Sequence, residues 1–210
     1  MFSPPLSLHA GLWPRSRITA LTGATPRFRY WEIALLMLCG VAAVLAVEYL
    51  PSPLKRMPGQ AILRSMLPLA LGMAAVPRYG SGCVMSLSSL LTVGCLRMGS
   101  AELGIGAVTS ACLVGGLLDA ALLFARRGWQ LYGGFVLAGL LGNLAAMATR
   151  GGKKWVGLDD LLDRPWHEWL SQAVVTYPLF GIVAGLVSAI LLFSMRARTP
   201  LESEKTESRT

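Results

Sequence analysis

Glu48, Arg64, Arg97, Asp119, Gln130 and Asn143 all lie inside or at the ends of apolar runs in this sequence. An ionisable or amide group in hydrocarbon costs a few kcal/mol unless it is paired, so each of these either ties helices together or lines a site. Glu48 and Arg64 fall near the outward ends of the first two runs and are placed to meet as an ion pair. As a site residue, Arg64 would instead line an outward cavity and offer its planar fork to a carboxylate or phosphate. Arg97 ends the third run, where snorkelling to the interface is the simpler role. Asn143 lies about 21 Å along the fifth run, within reach of an outward pocket, although bonding between helices is the slightly favoured reading. Asp119, in GGLLDAALLFARRGW, is about 7 to 8 Å from the inner boundary at Phe124, with Arg126 and Arg127 in the adjoining turn. No second acid accompanies Asp119 at that depth, so a structural or coupling role is expected rather than proton relay.

The elements that position these residues follow from composition. The chain is 54% hydrophobic and 14% charged over 210 residues, with mean hydropathy +0.56. Soluble domains carry about 25% charged residues. A bilayer core of about 30 Å needs about 17 to 25 apolar residues in a helix, and six runs qualify or nearly qualify. They are residues 31–50, 61–76, 82–98, 103–124, 129–149 and 170–195. The second is short and contains Arg64 and Pro68, so it must thin the bilayer locally or be shielded by neighbours. The expected fold is all-α: a bundle of six transmembrane helices over residues 30–196. A flexible cytoplasmic leader, residues 1–29, precedes it, and a disordered tail, residues 197–210, follows.

Nineteen Lys and Arg against eleven Asp and Glu give a net charge of +8. These cations flank the spans instead of clustering on one polar face, which argues for topology and against nucleic acid. Their bias favours both termini on the cytoplasmic side. Residues 150–171 form the one long connection. The spacing of Leu158, Leu161, Leu162, Trp166, Trp169 and Leu170 fits a short interfacial helix or lid there. The four cysteines show no metal-binding spacing and are expected to pack as buried small hydrophobes.

Motifs for nucleophilic hydrolysis, zinc proteolysis and nucleotide phosphate binding are absent, and His9 and His167 are the only histidines. Neither a cofactor nor a metal nor an enzymatic activity is expected. Active transport would have to borrow energy from a partner. Small residues recur at four-residue intervals, at Ala42 and Ala46, Ala107 and Ala111, Ala138 and Gly142, and Gly181, Gly185 and Ala189. Such rows permit close helix packing, either within the bundle or against a second membrane subunit.

The stretches PGQAILRSMLPLALGMAAVPRYGSGCVMSLSSLL, GAVTSACLVGGLLDAALLFARRGWQLYGGFVLAGLLGN and VVTYPLFGIVAGLVSAIL, with the six-span layout, resemble the substrate-binding S components of energy-coupling factor (ECF) transporters. The resemblance covers about residues 30 to 196. It implies a six-helix protein in the inner membrane that captures a vitamin or vitamin precursor in an outward-side pocket. Its partners would be a membrane T component and cytoplasmic ATPases. It also implies a T-component contact at the Ala-x-x-x-Ala row of the first span, matched here by Ala42 and Ala46. The metal-binding members begin Met-His, whereas this chain begins Met1-Phe2, so an organic ligand is expected. Arg64, Arg97, Asn143, Trp155, His167 and Trp169 are the expected pocket residues, with Glu48, Asp119, Arg126 and Arg127 in structural or coupling roles. A membrane scaffold that binds protein or lipid and transports nothing is the alternative.

Overall fold

A computed structural model describes residues 28–50, 57–76, 78–98, 104–124, 128–156 and 166–207, with backbone alone for 128–129 and 192–207. Arg126, Arg127, most of the leader and residues 157–165 lie outside the described residues. The described chain is all-helical: α1 (Tyr30–Tyr49), α2 (Ala61–Ala75), α3 (Ser81–Met98), α4 (Ile105–Phe124), α5 (Gly128–Trp155) and α6 (Trp166–Glu207). All except α2 are long and apolar enough to cross a membrane. Large apolar side chains such as Leu38, Leu87, Leu91, Leu137 and Val175 point outward from the bundle. In water such a surface would drive association, whereas in lipid it is simply solvated. The architecture is that of a multi-pass membrane protein.

α2 solves its shortness by burial. Its 15 residues rise about 22 Å, less than a bilayer core. Ile62, Ser65, Met66, Leu69, Ala70, Gly72, Met73 and Ala74 are all buried, and α2 packs against α1 and α6. Protein covers most of its circumference, with Leu67 and Leu71 left on the outer face, so the Pro68 interruption and the Arg64 charge are tolerated. The central core joins Leu36, Met66, Leu69, Met85, Leu118 and Phe135.

The small-residue rows on the later helices serve internal packing. Ala111, Ala138, Gly142, Gly181, Gly185 and Ala189 are buried, with the α6 row set against α5. Ala42 and Ala46 remain half-buried on α1. The cysteines depart from expectation, because Cys83 and Cys95 are exposed while Cys39 and Cys112 are half-buried. In a membrane both the core and the outer face are apolar, so lying in an apolar run does not imply burial.

Two acids secure the end of the bundle where α1 begins. Asp119 of α4 accepts hydrogen bonds from the backbone N–H groups of Gly82, at 3.0 Å to Oδ1, and Cys83, at 2.7 Å to Oδ2. Those groups belong to the first turn of α3, where no intrahelical acceptor exists and the helix dipole is positive. Gly82 and Gly115 make this possible, since a Cβ on either would run into the other's carbonyl oxygen. Asp119 is therefore a cap supplied by a neighbouring helix. Glu32 does the equivalent for α1. Its Oε2 accepts the Arg29 N–H at 2.8 Å and its Oε1 pairs with Arg78 Nη2 at 2.9 Å, fastening the α2–α3 connection to the start of α1.

Candidate functional site

The opposite end of the bundle is hollow. A cavity of about 840 Å³ opens among the far ends of α1 and α3, the start of α2 and α4, and the later part of α5. Small-molecule sites typically span about 300–1,000 Å³. Glu48 and Arg64 line it from α1 and α2, Arg97 from α3, and Gly106, Ala107 and Ser110 from α4. Asn143, Ala146, Arg150 and Lys153 contribute from α5, and Tyr177 from α6.

Arg64, Arg97 and Asn143, three of the expected pocket residues, come together here. Glu48 lies close enough to attract the Arg64 guanidinium. The hydrogen bond that holds that guanidinium, however, runs from Nη1 to the Leu50 carbonyl oxygen at 2.7 Å. Its Nε is buried with no hydrogen-bond partner. An ion pair joins Glu32 and Arg78 at the other end of the bundle.

Asn143 lines the cavity and at the same time ties two elements together. Its Nδ2 donates to the Tyr177 carbonyl at 2.7 Å and to the Gly59 carbonyl at 3.1 Å. Two carbonyl acceptors on one side fix the amide orientation, because only the nitrogen carries hydrogens. Gly59 has φ +87° and its α-carbon sits against the Tyr177 ring, so the turn before α2 needs glycine and is clamped in place by Asn143.

The three aromatic candidates do not line the cavity. Trp155 is 81% exposed and His167 is exposed at the first turn of α6. Trp169 is buried in a cluster with Ala146, Ala173 and Tyr177. Its ring centroid lies 5.5 Å from that of Trp166 and 6.5 Å from that of Tyr177, and Lys154 Nζ lies 5.7 Å above it. Trp169 thus packs the last turns of α5 onto α6. The assignment of Trp166 and Trp169 to a separate interfacial helix also fails. Trp169, Ala173, Tyr177, Phe180 and Ala184 form one buried stripe at helical spacing, so the segment from Trp166 winds into α6 without a break.

Arg150 and Lys153 were missed because the fifth span was ended at Thr149. α5 instead runs 28 residues to Trp155, about 42 Å, so its final turns extend past the hydrocarbon and over the cavity. A signal was present: Asn143, Ala146, Arg150 and Lys153 repeat at intervals of three and four, a single helix face. Arg150 lies near the Tyr177 hydroxyl on the same cavity wall. Among the described residues no group of three or more His, Cys, Asp and Glu side chains is placed to hold a metal ion.

The chain matches no family model, no curated protein and no solved structure.

Proposed function

We propose that this protein is the substrate-capture subunit of an ECF-type uptake transporter in the cell's inner membrane, with both termini cytoplasmic. It binds a small organic micronutrient in the cavity and leaves energy supply to a membrane T component and cytoplasmic ATPases. The observation that supports this reading is the single-ended build: capped and ion-paired where α1 begins, hollow and polar at the other end. A scaffold has no need of a cavity of about 840 Å³ lined by cations. Binding and release, without covalent chemistry, fit a lining of guanidinium, ammonium, amide and hydroxyl groups.

The half-buried Ala42 and Ala46 on α1 leave a shallow face on which a partner helix can approach closely. Changing both to Leu is expected to abolish assembly with the T component while ligand affinity stays intact. The test is co-purification of the chain with the T component and ATPases, with mass spectrometry of retained small molecules. A stable complex carrying a ligand supports the reading. Absence of both complex and ligand rejects it, and equal loss of ligand binding in the double variant would make the alanines internal packing residues.

A further inference from the structure

At the hollow end α5 and α6 share a tip that reaches past α4. Gly106, at the start of α4, lies against the Ala146 carbonyl of α5, so α4 begins level with residue 146. From there to Trp155 the backbone of α5 rises about 13 Å. The start of α6 accompanies it, since a Cβ on Gly151 would touch both the Trp166 and the Trp169 rings. The outward-facing residues of α6 change character along the way, with His167, Glu168, Ser171 and Gln172 followed by Val174, Val175 and Leu179. The edge of the hydrocarbon therefore crosses α6 between Gln172 and Val174, and Trp166 stands about 12 Å beyond Val174 along the helix.

Trp155, Val156 and Trp166 are exposed on this tip, whereas Trp169 is buried within it. An indole joins a large apolar ring to one N–H donor, the combination that gathers tryptophan at the boundary between hydrocarbon and water. The headgroup layer adds about 5–8 Å to each face of the hydrocarbon core, so indoles rooted about 12 Å out can lean back among the headgroups. On α5 the outward-facing residues Leu137, Leu141, Ala148, Gly152 and Trp155 follow one another at helical spacing. Trp155 therefore continues the lipid-facing side of its own helix.

We propose that Trp155, Val156 and Trp166 form a lipid anchor, seated among the phospholipid headgroups of the leaflet at the hollow end. Phospholipid is the occupant because the lipid-facing side of α5 runs into the patch without a break. Left in water, the same indoles and Val156 would make an apolar patch of the kind that drives association. The anchor also bears on the cavity. Arg150 and Lys153 lie on the same turns of α5 and line the hollow, so a tip fixed at headgroup depth holds that wall at the edge of the bilayer, within reach of a dissolved solute.

The full chain is placed in phosphatidylcholine nanodiscs with Trp155 as its one tryptophan, the other five being replaced by Phe. In one set of discs the lipid carries a nitroxide on its headgroup, and in a second set at the end of an acyl chain. The headgroup label is expected to quench Trp155 emission at least about twofold more than the chain-end label. Stronger quenching from the chain end overturns the proposal by sinking the tip into hydrocarbon. Quenching by dissolved iodide with none from either lipid label also overturns it, by leaving the patch in water for a protein partner to cover. Trp155→Phe in the otherwise wild-type chain alters only an exposed side chain, which keeps the test decisive if the multiply substituted chain does not fold. It should lower the share of emission that the headgroup label quenches, and an unchanged share would overturn the anchor.

Discussion

Replacing Asp119 with Asn isolates the cap that joins α4 to α3. The substitution keeps volume and shape but converts one acceptor oxygen into an NH₂ group facing a backbone N–H. Either the Gly82 or the Cys83 bond must then be lost, since both partners are donors. A buried backbone donor left unsatisfied costs about 1–3 kcal/mol. Removing a charge from the positive end of α3 forfeits about 0.3–1 kcal/mol more, and up to about 2 in a partly buried setting. Asp119 is only 6% exposed, so solvent cannot replace either contribution cheaply. Together these amount to about 2–4 kcal/mol, which for a chain of this length lowers Tm by about 5–15 °C. Tm in nanodiscs, followed by intrinsic tryptophan fluorescence, measures the effect. Ligand affinity measured well below Tm should stay at the wild-type value, because Asp119 is at the end of the bundle away from the cavity. A Tm within about 2 °C of wild type would refute the capping argument. A loss of affinity with no loss of stability would refute the separation of the two ends.

Trp169→Ala should cost about 3–5 kcal/mol as a buried aromatic deletion and should speed hydrogen exchange in the last turns of α5, around Arg150 to Lys154; unchanged exchange there would remove Trp169 from its packing role. Asn143→Ala leaves the Gly59 and Tyr177 carbonyls short of a donor, which should cost about 1–3 kcal/mol. It should also raise exchange at residues 57–60, and an unaffected turn would show that Asn143 does not clamp it.

Much of the molecule was legible because lipid imposes simple rules. Run length and charge content locate the spans, and alternation of direction then places Glu48, Arg64, Arg97 and Asn143 at one end without any knowledge of contacts. Asp119 was readable as structural from its lack of an acidic companion. Its actual partners were not, because Gly82 and Cys83 donate through their backbones and backbone groups carry no sequence signature. Glu32 carries no signal in the sequence for a similar reason: its value depends on Arg78, brought near only by the α2–α3 connection. Arg150 and Lys153 were hidden by a hydropathy rule that ends a helix where the apolar residues end. α5 continues because Trp169 and Tyr177 give its extension something to pack on. The tryptophans misled in the opposite sense, since an aromatic near a span end can anchor at a headgroup, stack on a ligand or, as Trp169 does, fasten two helices.

The central claim is that a solute from outside the cell enters the hollow end and meets its cations. Ala107 lines the cavity and is half-buried, so a single cysteine at that position, in a chain whose four native cysteines are replaced by alanine, reports access directly. Intact cells and inverted vesicles are each treated with a membrane-impermeant maleimide. Labelling from outside in intact cells is the predicted result. A position that reacts only in inverted vesicles would contradict it.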